Sequence, residues 1–151
     1  MINIIIDEKP ISVSIRYNGY YKVVLLLAII NYCGHGKKAT LELIHIVFWS
    51  LRNDINYSVL YELSKQVRKN LVPWTFEHGI DEVLALGFIN GYIERVLVTD
   101  TLEIKITEKG RGIVNSINQF ELFQGEIKKI KDLGIIPKSR LSSANKKWTL
   151  I

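Results

Sequence analysis

Cysteine is almost absent from this chain of 151 residues, in which Cys33 is the single example. One cysteine cannot form a disulfide framework within the chain, and it fits a reducing compartment. The first residues contain neither a basic leader nor a small-residue cleavage site, unlike a signal peptide. The longest apolar run, Val23 to Ile30, is far shorter than the roughly 20 residues of a membrane-spanning helix. We therefore expect a cytoplasmic protein without membrane contacts.

Patterns of catalytic and metal-binding residues are also missing. The segment Gly34-His-Gly-Lys-Lys-Ala-Thr40 lacks the spacing of a phosphate-binding loop and is interpreted as a turn between helices. Cys33 and His35 have no second ligand pair at zinc spacing, and the chain has no Gly-x-Ser-x-Gly sequence. Glu77 and Asp81 are interpreted as a solvated helix face, and His45 as a hydrogen-bonded core residue. We predict no enzymatic activity, no metal and no cofactor.

The overall composition is that of an ordinary globular protein. Hydrophobic residues make up 48% of the chain and charged residues 23%. The formal net charge of +5 allows contact with nucleic acid or another acidic partner, but requires neither. The length suits one domain, with room for an appendage.

The first half of the chain predicts two strongly apolar helices. Short strands are predicted at residues 2–6 and 11–15, ahead of them. The segment from about Tyr20 to Cys33 is apolar on all sides in its middle, which is typical of a helix inside a core or between partners. Thr40 is predicted to cap a second helix that runs to about Leu51. The apolar stripe of this second helix is unusually wide, which indicates either deep burial or a partner.

A third helix is predicted from Tyr57 to Lys69, with Asn56 as its cap. Its far end is basic, and positive charge also collects near residues 128–131 and in the C-terminal tail. Such clusters fit either contact with a nucleic-acid backbone or an ordinary solvated surface, and the sequence leaves both open. The residues considered for backbone contact are Lys65, Arg68, Lys69, Lys128 and Lys129.

The stretch from Thr75 to Gly112 predicts a helix, a two-stranded hairpin and a further helix. Thr75 is predicted to cap the first helix and Gly87 to end it. Apolar and charged residues alternate over 102–107, which is typical of a half-buried strand, and residues 88–93 are its predicted partner. Thr107 is predicted to cap the second helix.

The C-terminal part predicts one or two helices over residues 113–130, with Gly125 as a joint. A boundary near Gly134 divides the chain into a main domain, residues 1–134, and a tail, residues 135–151. The tail from residue 138 contains four basic residues and no acid, and it ends in large apolar side chains. This combination is typical of a docking peptide.

Two segments that flank the predicted hairpin, Leu86-Gly-Phe-Ile89 and Ile106-Thr-Glu-Lys-Gly110, resemble bacterial winged-helix regulators. The resemblance implies a mainly α fold with a small β wing (α+β), namely a winged-helix domain with a C-terminal helical extension. Winged-helix domains occur both in DNA readers and in protein-interaction subunits, so the fold leaves the function open.

The residues ahead of the predicted wing are poorly suited to reading DNA. A recognition helix needs Arg, Lys, Asn or Gln side chains in the major groove. Residues 75–94 contain Glu77, Asp81, Glu82 and Glu94 but no Lys or Arg, and a polyanion would repel them. The predicted wing tip, Arg95 to Thr99, is mostly apolar, which indicates a protein contact.

A second resemblance covers about residues 18–117. The segments Asn18-Gly-Tyr-Tyr21, Leu25-Leu-Leu-Ala-Ile-Ile30 and Thr40 to Arg52, followed by Leu84 and Leu86-Gly-Phe-Ile89, are similar in order to the middle-component subunits of bacterial three-component ABC-ATPase systems, including the Lamassu antiphage systems. The resemblance implies a non-enzymatic adaptor that bridges an SMC/Rad50-like ATPase and an effector subunit such as a nuclease. The basic clusters described above leave open non-specific DNA contact through the complex.

We therefore expect an adaptor subunit of a multi-subunit complex in antiphage defence. The residues expected to contact protein partners are Trp49, Val96, Leu97, Val98, Trp148, Leu150 and Ile151. The alternative is a dimeric winged-helix transcription regulator that contacts DNA through Lys65, Arg68 and Lys69.

Overall fold

The computed structural model describes residues 19–147 of the chain. The strands predicted at residues 2–6 and 11–15 lie outside the described residues. The elements in chain order are α1 (Gly19–Cys33), β1 (Lys38–Ala39), α2 (Leu41–Ser50), α3 (Asp54–Ser64), α4 (Ile80–Ile89), β2 (Ile93–Val98), β3 (Thr101–Ile106), α5 (Glu108–Gln119), α6 (Gln124–Leu133) and α7 (Lys138–Asn145). The prediction of a mainly helical chain with a small antiparallel sheet is confirmed.

Helix α1 is the centre of the fold. It contacts α2, α4, α5, α6 and the sheet. Leu26, Leu27, Ile29 and Ile30 are fully buried, as expected for a helix without a polar face. Burial of such side chains is the main source of folding free energy, at about 25 cal/mol for each Å² of apolar surface.

The three strands form an antiparallel sheet in the order β1-β3-β2. Strands β2 and β3 form a hairpin in which Leu97 lies opposite Leu102. The two turn residues, Thr99 and Asp100, both have positive φ, which matches the type I′ turn preferred by two-residue hairpins. The three buried isoleucines at positions 93, 104 and 106 face the core.

The boundary between α4 and the hairpin differs from the prediction. Phe88 and Ile89 belong to α4, and β2 begins only at Ile93. Gly87 lies inside the helix, where a Cβ would stand 2.8 Å from Cδ1 of Ile93. The missing side chain of Gly87 therefore serves close packing against β2, and Gly91, with φ +75°, takes the left-handed position instead.

Two predicted caps are confirmed. The Thr40 hydroxyl accepts a hydrogen bond from the Leu43 N–H at 3.2 Å, and the Thr107 hydroxyl accepts one from the Gly110 N–H at 3.0 Å. The predicted cap of α3 is wrong, because the side chain of Asn53, not of Asn56, accepts from the N–H three residues later. Asparagine occurs at both positions, and local pattern alone does not choose between them.

Helix α3 ends at Ser64, so the basic residues expected on its last turns follow the helix. Gln66 has a φ of +63°, which stops the helical path. The segment 65–79 that follows has no helix or strand and is anchored by the buried side chains of Leu71 and Val72. A long irregular segment of this kind needs such side-chain anchors, because it lacks the backbone hydrogen bonds of a helix or sheet.

Thr75 does not cap α4, which begins five residues later at Ile80, after Gly79 with φ +78°. The Thr75 hydroxyl instead accepts a hydrogen bond from Nη1 of Arg52 at 2.6 Å. Gly79, in the left-handed region, allows the chain to turn sharply into α4. It takes the place at the start of the helix that was predicted for a threonine cap.

The stretch predicted as one or two helices contains parts of two, α5 and α6, but their joint is not at Gly125. It lies at residues 120–123, where Phe123 has φ +53°, and Gly125 falls in the first turn of α6. Helix α7 then occupies most of the segment predicted as a docking tail. Leu141 is 1% exposed, and the Ile136 N–H donates to the Cys33 carbonyl at 3.1 Å. The division of the chain after residue 134 stays a prediction, but the described part of the tail packs on the core.

Candidate interaction surfaces

The outward side of α4 carries acidic and apolar side chains and no cation. Asp81, Glu82, Ala85 and Ile89 are exposed, and residue Ile89 is 81% accessible. Residues 81, 85 and 89 are spaced by four, so they form one stripe along the helix. Nothing on this stripe offers the hydrogen-bond donors that read base edges in a major groove.

The hairpin extends this stripe into a larger surface. Arg95, Leu97 and Leu102 lie on the sheet face that also carries the buried isoleucines, because strand residues alternate between faces and Leu97 is paired with Leu102. The Arg95 guanidinium stands 4.2 Å from the ring centre of Phe88 on α4, which joins the two elements. Leu97 is 72% and Leu102 47% exposed. We name the exposed residues Asp81, Glu82, Ala85, Ile89, Arg95, Leu97 and Leu102 the α4–hairpin surface.

The residues predicted as an apolar wing tip have a different position. Val96, Leu97 and Val98 are part of strand β2, and the tip itself is the polar pair Thr99–Asp100. Val96 and Val98 are half-buried and lie on the opposite sheet face from Leu97. Of these three residues, Leu97 alone contributes to the α4–hairpin surface.

The position of Glu77 changes the count of acidic charges that face solvent ahead of the hairpin. The prediction that Glu77 lies on a solvated helix face is wrong, because the residue is only 6% exposed. Its Oε2 lies 2.8 Å from Nζ of the buried Lys22, and its Oε1 lies 3.3 Å from Nη2 of Arg52. The charge of Glu77 is therefore neutralised inside the fold. The acidic charge that faces solvent comes from Asp81, Glu82 and Glu94.

Trp49 is a core residue. It is 5% exposed, and its carbonyl accepts a hydrogen bond from the Asn56 side chain at 3.0 Å. Its wide apolar helix, α2, is buried by contacts within the chain, so a partner would reach Trp49 only after that packing opened. The other predicted contacts, Trp148, Leu150 and Ile151, lie outside the described residues.

The basic residues considered for nucleic-acid contact occupy two separate places. Lys128 pairs with Asp132 at 3.0 Å on α6, and Lys129 lies 3.5 Å from Asp54 at the start of α3. Lys65, Arg68 and Lys69 follow the other end of α3. With 11 residues, α3 separates the two groups by roughly 16 Å. They do not form one patch.

A basic cleft of about 180 Å³ forms beside the second of these groups. Its polar lining consists of Gln66, Arg68, Lys69, Arg140, Ser143 and Lys147. The contribution of Arg140, Ser143 and Lys147 does not follow from the prediction of a docking tail over residues 135–151, because such a tail would not pack on the domain. The helical spacing of Leu141 and Ala144, both buried, was the signal that α7 packs on the core.

A larger cavity of about 650 Å³ lies between β1, the outer face of the hairpin and the residues that begin α7. Apolar side chains such as Leu43, Val98 and Ile136 line it. Glu103 on its wall is buried, and its Oε2 lies 2.5 Å from Nζ of Lys138. This ion pair fastens α7 to the sheet.

The buried titratable groups serve the packing of the fold. Burial raises the pKa of the Cys33 thiol to about 12, and this thiol donates to the Ile130 carbonyl. Burial likewise raises the pKa of Tyr57 to about 12, and its hydroxyl donates to the Lys129 carbonyl at 2.7 Å. Burial lowers the pKa of His45, whose Nδ1 accepts the Glu77 N–H at 3.0 Å. The predicted core role of His45 is confirmed.

Within residues 19–147, no group of three or more His, Cys, Asp or Glu side chains is arranged to hold a metal ion. In the same residues, no helix combines the length and the apolar character needed to cross a bilayer. Comparisons of the chain with protein-family models, curated proteins and solved structures gave no match.

Proposed function

We propose that this chain is a non-enzymatic adaptor subunit that binds a protein partner through the α4–hairpin surface. The observation that carries the proposal is the chemistry of that surface, which exposes the apolar side chains of Ile89 and Leu97 and, in the first turn of α4, the carboxylates of Asp81 and Glu82. An exposed apolar patch rimmed by charge is typical of a protein-binding site. Its acidic rim favours a partner that presents basic and apolar side chains together.

The proposal includes a winged-helix architecture. Three features of the fold support this architecture. They are the position of β1 between α1 and α2 in the chain, the hairpin that follows α4, and the sheet order β1-β3-β2. In a winged helix, α4 would be the recognition helix and β2–β3 the wing. Because winged-helix domains also serve as protein-binding modules, an α4 without cations is compatible with this architecture.

The complex that we propose for the adaptor is a bacterial antiphage system, in which it bridges an SMC/Rad50-like ABC ATPase and an effector subunit. The support is the resemblance of residues 18–117 to the middle components of such systems. The described residues add an exposed acidic and apolar surface, which suits a subunit that contacts other chains.

The test is co-expression of the full chain with the products of its neighbouring genes, followed by size-exclusion chromatography. We expect co-elution with the ATPase subunit, and we expect Ile89→Arg or Leu97→Arg to abolish it. Ile55→Arg is the matched control, since Ile55 is an exposed apolar residue on α3 with a side-chain accessibility of 69%. Unchanged co-elution of both surface variants would sink the proposal.

The alternative function, a DNA-binding regulator, draws on the same winged-helix architecture and on the basic residues after α3. The acidic face of α4 disfavours it, because carboxylates repel the phosphate backbone around the groove. A regulator would bind one defined duplex far more tightly than a scrambled duplex, whereas the adaptor proposal requires no such preference.

A further inference from the structure

The basic cleft is formed by two chain segments that are about 70 residues apart. Arg68 and Lys69 contribute from the irregular segment after α3, and Arg140 and Lys147 from α7 and the residues that follow it. The Arg140 Nη1 donates to the Ser64 carbonyl, at the end of α3, at 3.0 Å. This hydrogen bond links the two walls of the cleft.

The charge of the cleft is strongly positive. Among residues 19–147, its four cations are Arg68, Lys69, Arg140 and Lys147, and they are opposed by Glu62, which accepts a hydrogen bond from Nε of Arg68 at 3.2 Å. Four positive charges less one leave an excess of three. The two contributing stretches, residues 65–69 and 138–147, contain no acidic residue. Lys69 and Lys147 are exposed, so their ammonium groups are accessible to a ligand.

The neutral groups of the cleft are also suited to an anion. The Ser143 hydroxyl and the Gln66 amide are exposed donors at its wall. A guanidinium, an ammonium and a hydroxyl around one small space are the usual donors to a phosphate group. The volume of about 180 Å³ suits a group of that size better than a nucleobase with its sugar or a folded protein segment.

We propose that this cleft binds phosphates of a nucleic-acid backbone without sequence preference. Backbone binding is favoured over a single free anion because the exposed Lys65 and Lys146 directly adjoin the cleft residues Gln66 and Lys147 in the chain and add to the positive charge. A basic surface larger than one anion contacts several phosphates of one polyanion and releases their counterions. The proposal does not depend on the adaptor function, since the cleft and the α4–hairpin surface share no residue.

The test is fluorescence anisotropy of the full chain with two labelled duplexes of unrelated sequence, titrated at several salt concentrations. We expect the two duplexes to bind equally well. The variant Lys69→Glu/Lys147→Glu is expected to weaken binding by roughly tenfold or more at low salt, and to lower the slope of log K against log salt by about two. Both lysines are exposed, so folding should be unaffected, which circular dichroism and thermal melting would verify.

The matched control is Lys128→Glu/Lys129→Glu, which changes the net charge by the same amount on α6, away from the cleft. At about 0.15 M salt this variant should bind within about twofold of the wild type, because the Debye length of about 8 Å is then shorter than the distance from α6 to the cleft. Equal weakening by both double variants, no binding by the wild-type chain at low salt, or a strong preference for one duplex would overturn the proposal. So would tighter binding of a labelled phosphopeptide than of either duplex. Binding through the α4–hairpin surface is tested on other residues, so the two proposals fail separately.

Discussion

Glu77 and Lys22 form a buried ion pair that joins the segment before α4 to the central helix α1. Both residues are almost fully buried, and Lys22 also donates to the His78 carbonyl at 3.1 Å. Arg52 lies against the same carboxylate from the residues after α2. Removal of one charge from a buried pair is strongly destabilising, because the other charge is left in a poorly solvated position.

Replacement of Glu77 by glutamine should therefore lower the free energy of unfolding by roughly 3 kcal/mol. The substitution keeps the size of the side chain and removes its charge beside Lys22. Urea denaturation followed by circular dichroism would measure the change. Glu82→Gln is the matched control on the exposed face of α4, expected to stay within about 0.5 kcal/mol of the wild type. Equal stability of the two variants would show that the ion pair contributes little.

At the scale of secondary-structure elements, α5 is held close to the hairpin by one glycine. A Cβ at Gly110 would lie 2.3 Å from the Tyr92 carbonyl oxygen, which is backbone and cannot rotate away. That carbonyl also accepts the Thr107 N–H at 2.9 Å, so the approach of α5 and the start of β2 are coupled. Gly112, on the same helix, has no atom within 4 Å of its would-be Cβ.

Gly110→Ala should consequently destabilise the chain by roughly 2 kcal/mol or more, because the helix must shift to relieve the overlap. Gly112→Ala should stabilise it by about 0.5–1 kcal/mol, because alanine favours a helix more than glycine does. Thermal unfolding of the two variants under one set of conditions measures both effects. A melting temperature that rises for Gly110→Ala as well would contradict the close approach of α5 to the Tyr92 carbonyl.

At the scale of the whole molecule, α7 connects parts of the chain that are distant in sequence. Arg140 contacts the end of α3, Lys138 contacts β3, and Asn145 accepts a hydrogen bond from the Trp74 indole at 2.8 Å. The Asn145 amide also donates to Glu42 at the start of α2. Leu141 lies beneath these contacts with 1% exposure, so α7 contributes to the core.

Leu141→Ala should lower the free energy of unfolding by roughly 3 kcal/mol, because apolar burial is lost and a cavity is left in the core. Leu122→Ala is the control, since Leu122 is 47% exposed and its truncation leaves no buried cavity. Chemical denaturation of the full chain would measure the change in the free energy of unfolding for each variant. Small and equal effects of the two substitutions would indicate that residues 138–147 are a detachable tail.

Much of the architecture could be predicted because it depends on interactions between residues that are close in sequence. The apolar character of α1 is continuous along the chain, and burial follows wherever the helix packs. The caps at Thr40 and Thr107 depend on a side chain and an N–H only three residues away. The alternation of β3 identifies Ile104 and Ile106 as core residues, but it predicts neither the exposure of Leu102 nor the burial of Glu103. Interactions of this range are present in any conformation that forms the element.

The tertiary structure alone decided where the charges lie. Glu77 has the same local sequence pattern whether it faces water or Lys22, which is 55 positions earlier in the chain. The basic cleft exists because α7 returns to the end of α3, a path that depends on the burial of Leu141 and Ala144. Local sequence does not encode which distant segment meets which, since that choice depends on the packing of the whole core. The packing of the core therefore decides which charged side chains face solvent, which are neutralised by a partner, and which lie close together.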